Sequence, residues 1–178
     1  MIIDILLNTI FESAISHSSE KRKHPDKMLL GDVVCVENDL FDRYGIWDGE
    51  NIILYGKVKG GSKVVHEESL RRFMHGAETL RICIFPKKYG QPLQQEISSP
   101  ITSVVMPPEK IWRFMEQSRK AALYKRYSPQ ETIQRARSKL GKGGYLSSEH
   151  FAMWCKTGIS ESHQLNNMRE IMDRIIVY

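Results

Sequence analysis

Apolar residues at Ile2, Ile3, Leu6, Leu7, Ile10, Phe11, Ala14 and Ile15 recur at helical spacing and predict an amphipathic helix over residues 2–16. Residues 17–29 are polar and hold Lys21-Arg22-Lys23, and Pro25 excludes a continuing helix, so they read as a connector. Strand patterns follow. Val33-Val34-Cys35-Val36 is a β-branched run, and Tyr44–Trp47 and Ile52–Tyr55 flank the hairpin signal Asp48-Gly49. A short strand is expected at Val64-Val65 after the Gly60-Gly61 turn. A helix is expected over Glu67–His75, with Leu70, Phe73 and Met74 on one face and Gly76 ending it; a fifth strand is expected at Leu80–Phe85.

Residues 86–108 carry five prolines and little periodicity and read as a long loop or insertion. Pro108 is placed to start a helix over 109–124, with Ile111, Trp112, Met115 and Leu123 as its buried positions. Ser128-Pro129 opens a helix over 129–140 that Gly141 ends. Ser147 or Ser148 caps another through Trp154, stopped by Thr157-Gly158, and an amphipathic helix is expected over 161–176. Strands come first and helices mostly after, which is α+β logic, with a helical arm in front.

A length of 178 residues suits one domain with an arm, and 41% hydrophobic with 26% charged residues argues against wholesale disorder. No apolar run reaches the roughly 20 residues of a membrane span. The start, Met1-Ile2-Ile3-Asp4, lacks a basic n-region, so no cleaved secretion signal is expected. Cys35, Cys83 and Cys155 form no CxxC pair, so a reducing, cytoplasmic setting is the simpler reading.

Charge changes the picture more than composition does. Between Glu109 and Lys142 lie ten Lys/Arg against three acids, a local excess larger than the whole-chain +5. Lys110, Arg113, Arg119, Lys120, Lys125 and Arg126 are the candidate binding residues. Their partner would be nucleic acid, a phosphate group or an acidic protein complex; the alternative is a solvated helix face.

Four stretches together resemble one family: Gly31–Val36; Tyr44–Gly49 followed by Ile52–Gly56; Val65–Phe73; and Ser147–Gly158. Their order and spacing are similar to the lecithin:retinol acyltransferase-like domain, a circularly permuted branch of the papain-like superfamily. Glu131–Gly141 resembles the helix that precedes the family's catalytic one. The likeness spans about residues 29–165, with the Pro-rich insertion 86–108 inside it, the arm and connector 1–28 before it and a C-terminal helix 166–178 after it. The resemblance implies a small antiparallel sheet packed against helices. It also implies thiol acyl chemistry, in which a Cys at a helix N-terminus attacks an ester, a His on a strand takes the proton and a second His orients the first.

Each catalytic position is changed here. The nucleophile position is Ser148, in Ser147-Ser148-Glu149-His150-Phe151. The base position is Arg43, in Arg43-Tyr44-Gly45-Ile46, and the second His position is Leu54. A serine hydroxyl needs an adjacent base, and arginine stays protonated at any physiological pH. His150, two residues past Ser148, lies about 200° around the helix. Cys155 falls on Ser148's face and reads as a core thiol.

The expected function is therefore that of a catalytically inactive family member acting by binding. By the fold's occurrence in viruses and mobile elements, it would inhibit or regulate a host or cellular complex. The competing class is an esterase or acyltransferase with an atypical serine or a relocated site. No metal or cofactor is expected: His66 and His75 with Glu67, Glu68 and Glu78 offer no ligand trio at standard spacing, and the Gly-Lys-Gly-Gly at 141–144 lacks a phosphate-loop context. Asp39, Asp42, Asp48 and Glu50 read as turn residues. Tyr44, Trp112 and Trp154 read as core anchors.

Overall fold

The computed structural model describes residues 21–38, 42–85, 87 and 108–160. The arm helix 2–16, the helix expected near the C-terminus and most of the Pro-rich loop lie outside the described residues. Among these residues six strands form one sheet: β1 (Lys21–Lys23), β2 (Val33–Val36), β3 (Arg43–Trp47), β4 (Asn51–Lys57), β5 (Lys63–Ser69) and β6 (Leu80–Ile82), in the spatial order β1-β6-β2-β3-β4-β5. All strand neighbours are antiparallel. Among the described residues four α-helices accompany them: α1 (Leu70–Met74), α2 (Pro108–Leu123), α3 (Pro129–Arg137) and α4 (Ser148–Thr157). The α+β class and antiparallel sheet expected from the sequence are present.

The central strands are buried on both faces, which is why β2 reads as a continuous Val/Cys run rather than an alternating one. Val33, Cys35, Tyr44, Ile46, Ile53, Tyr55 and Val65 point to the face covered by α4, where Phe151, Ala152, Met153 and Cys155 complete a core. Val34, Val36, Ile52, Leu54, Leu80 and Ile82 point the other way, onto Phe73 and Met74 of α1. The β3–β4 turn is tied by Asp48, whose Oδ1 accepts from the amides of Glu50 (3.0 Å) and Asn51 (2.7 Å), while Oδ2 accepts from Arg137 of α3 (2.8 Å). Burial raises the Asp48 pKa, but these hydrogen bonds outweigh it and leave the carboxyl below its ordinary value. Gly45 has no room for a side chain, because a Cβ there would sit 2.2 Å from Ile52 Cγ2 across the β3–β4 pair.

Five expectations are corrected. The connector contains an edge strand: Lys21–Lys23 pair with Ile82–Leu80, and lysine-rich edges are a common way to discourage further pairing. The helix expected from Glu67 starts only at Leu70, because Glu67, Glu68 and Ser69 extend β5 and pair with Ile53, Ile52 and Asn51. A formed β4 ladder outweighs local helix propensity there. β6 stops at Ile82. α3 ends at Arg137 rather than Leu140, because Leu140 forms a parallel bridge to Val65 and Gly141 donates to Val65 O (2.8 Å). Met115 and Leu123 are exposed, not buried.

The helix ends obey their signals. Ser128 and Glu131 form a reciprocal capping box on α3, and those bonds hold Glu131 at a pKa of about 2. Ser147 caps α4 by accepting from His150 N (3.1 Å), and Gly158, in the left-handed conformation, ends it. Among the described residues, no helix is long and apolar enough to cross a membrane.

Candidate functional site

α4 lies across β3 and β4, so its first turn reaches the start of β3. There Ser148 Oγ accepts a hydrogen bond from the backbone N–H of Tyr44 (3.1 Å). Arg43, Leu54 and Ser148 all border one cleft of about 520 Å³, together with Asn38, Asp42, Lys57, Lys63 and His66. The three positions singled out from sequence are therefore neighbours.

Their side chains do not cooperate, however. Tyr44 and Ile46 face α4, so by strand alternation Arg43 belongs to the opposite face. Its guanidinium is 2.5 Å from Glu68 Oε2 and donates to Phe73 O (3.3 Å), 5.3 Å over the Phe73 ring. Glu68 also holds Arg72 (3.2 Å). Leu54 is buried on that same face among Phe73, Met74 and Ile52. Arg43 is thus held in an ion pair between β3 and β5, and Leu54 is core.

Neither Cys155 nor Cys35 is a substitute. Cys155 is fully buried, and burial raises its pKa; burial also pushes Cys35 up to about 12 despite the nearby Arg81. His150 is half-buried beside Tyr145, with Nδ1 facing the Leu146 amide (3.5 Å). Among the described residues, no group of three His, Cys, Asp or Glu side chains is arranged to hold a metal ion. His66 belongs to the cleft, not to a metal cluster, and its Nδ1 lies 3.1 Å from Val64 O.

The basic segment divides into two kinds of charge. Arg135, Arg137, Lys125 and Arg126 are engaged within the chain. Arg135 donates to the carbonyls of Trp154 (2.9 Å) and Cys155 (3.2 Å), and Arg137 binds Asp48. Lys125 binds Glu131 (3.1 Å) over the Tyr127 ring, and Arg126 donates to Phe85 O (3.1 Å). On α2, Lys120 pairs with Glu116 (3.5 Å), whereas Arg119 is exposed between the exposed Met115 and Leu123. These last three recur every four residues and share one stripe of the helix. The side chains of Lys110 and Arg113 are outside the described residues.

Sequence reasoning missed Glu68 as the partner of Arg43, having assigned it to a helix. It also missed the placement of Lys57 and Lys63 on the cleft. Their symmetric spacing about Gly60 was the available signal for the pair. No family model, curated protein or solved structure matches this chain.

Proposed function

We propose that this chain is a catalytically inactive relative of the acyltransferase-like, permuted papain-like domains. It acts by binding in the cytoplasm, as an inhibitor or regulator of a host or cellular protein complex, including complexes that contain nucleic acid. The observation that carries the first half is the capture of Arg43 by Glu68 and the α1 carbonyls, which leaves Ser148 with an amide as its hydrogen-bond partner. A serine without a base has negligible alkoxide at neutral pH. Support for the second half comes from α2. An exposed Met115–Arg119–Leu123 stripe on a basic helix suits an acidic protein surface better than a bare polyanion, because it offers apolar contact as well as charge.

Two experiments test these halves. Ser148→Cys is expected to give a thiol whose pKa stays within about one unit of the ordinary 8.5, measured by the pH dependence of iodoacetamide alkylation, and no acyl transfer. A thiolate formed well below that range would mean a base is present after all. For binding, Arg113→Glu, Arg119→Glu and Lys120→Glu together are expected to weaken capture of the partner from native cells about 100-fold, with a steep salt dependence in the unmodified chain. The melting temperature should move by no more than about 2 °C. A folded triple variant that captures the partner undiminished would sink the α2 reading.

The esterase alternative has one observation in its favour, namely that His66 borders the same cleft as Ser148. Fluorophosphonate labelling that is lost in both Ser148→Ala and His66→Ala would establish it in place of the binding-only reading.

A further inference from the structure

Lys57 and Lys63 are direct partners across the antiparallel β4–β5 pair. Directly opposed side chains project from the same face, and two like charges so placed repel each other. By alternation from Tyr55 and Val65, that face is the one toward α4. Arg43, at the start of β3, and Gly56, beside Lys57 on β4, border the same cleft. Both border the cleft of about 520 Å³ that also takes in His66, Ser147 and Ser148. The volume is that of a small-molecule site rather than of a single ion. Among the described residues, the one carboxylate on its wall, Asp42, is in an ion pair with Arg81. The cleft therefore concentrates positive charge and hydroxyl groups in a place where the sheet tolerates a repulsive pair.

The geometry points to a binding site for a phosphoryl group carried by a small molecule or a lipid headgroup, with Lys57 and Lys63 as its cationic clamp. An anion between the two ammonium groups would relieve their repulsion. Lysine serves this role as a mobile point charge, and the serine hydroxyls of the cleft can donate to phosphoryl oxygens. This site is separate from α2, so it and the partner-binding proposal can fail independently.

The test uses the full chain, with inorganic phosphate as one probe and vesicles containing phosphatidic acid as the other. Saturable amide shifts over residues 56–58, 63–66 and 147–149 are expected with inorganic phosphate if the group comes from a free ester. The same shifts with vesicles alone would assign it to a headgroup. Lys57→Ala and Lys63→Ala should each weaken binding about 3- to 5-fold. Lys63→Glu should do two things at once: raise the melting temperature of the ligand-free protein by about 1–3 °C, by replacing a repulsive cross-strand pair with an attractive one, and abolish the phosphate response. Lys27→Glu, an exposed charge elsewhere, should change neither. No shift with either probe, or a response unchanged in Lys63→Glu, would overturn the site.

Discussion

Phe151→Ala is expected to destabilise the protein by about 4 kcal/mol and lower its melting temperature by roughly 10 °C. Phe151 has no solvent exposure and belongs to the core formed by α4 with Val33, Ile46, Ile53 and Val65. The Tyr145 ring meets it edge-on at 5.0 Å, and Tyr145 in turn meets Tyr55 at 5.5 Å, so the cavity left by truncation cannot close without moving β4. The loss would also reach the cleft, because Ser148 is held against the Tyr44 amide only as long as α4 keeps its seat on β3. Urea unfolding should show a lower midpoint at an unchanged slope. A loss below about 1 kcal/mol would mean that α4 is not the keystone of this core.

Legibility followed the range of the forces involved. Signals that act within one turn were readable: the capping box at Ser128, the Ser147 cap, Gly158 at the end of α4 and the Asp48-Gly49 hairpin each rest on hydrogen bonds between residues two to four apart. The approach of Ser148 to the start of β3 was readable only through motif order, because it spans more than one hundred residues. What remained hidden depended on partners distant in sequence. Glu67 and Glu68 look helical in isolation, yet the β4 ladder and the Arg43 guanidinium place them on a strand. Lys21–Lys23 became a strand because β6 needed a partner at its open edge. The charge count between Glu109 and Lys142 was correct as arithmetic but not as a surface, since burial and cation–π stacking are invisible to a sum.

That difference gives the sharpest test of the basic segment. Arg135→Ala is expected to cost about 3 kcal/mol, while Arg119→Ala should stay within about 0.5 kcal/mol. The Arg135 guanidinium lies 4.1 Å over the Tyr127 ring and 3.9 Å over the Trp154 ring, sandwiched between them. From there it donates to Trp154 O and Cys155 O near the C-terminal end of α4, where the helix macrodipole favours a cation. It thus ties α3 to α4 through two charged hydrogen bonds and two stacked faces. Arg135→Lys should recover less than half of the loss, because an ammonium has neither the planar faces to fill the sandwich nor the fork to reach two carbonyls. A double-mutant cycle of Arg135→Ala with Tyr127→Leu should show coupling of about 1 kcal/mol. If both arginines proved equally dispensable to stability, Arg135 would belong with Arg119 on the partner-facing surface. If Arg135 alone is costly, the charges that remain for a partner are those of α2, and the binding experiment should be read on them.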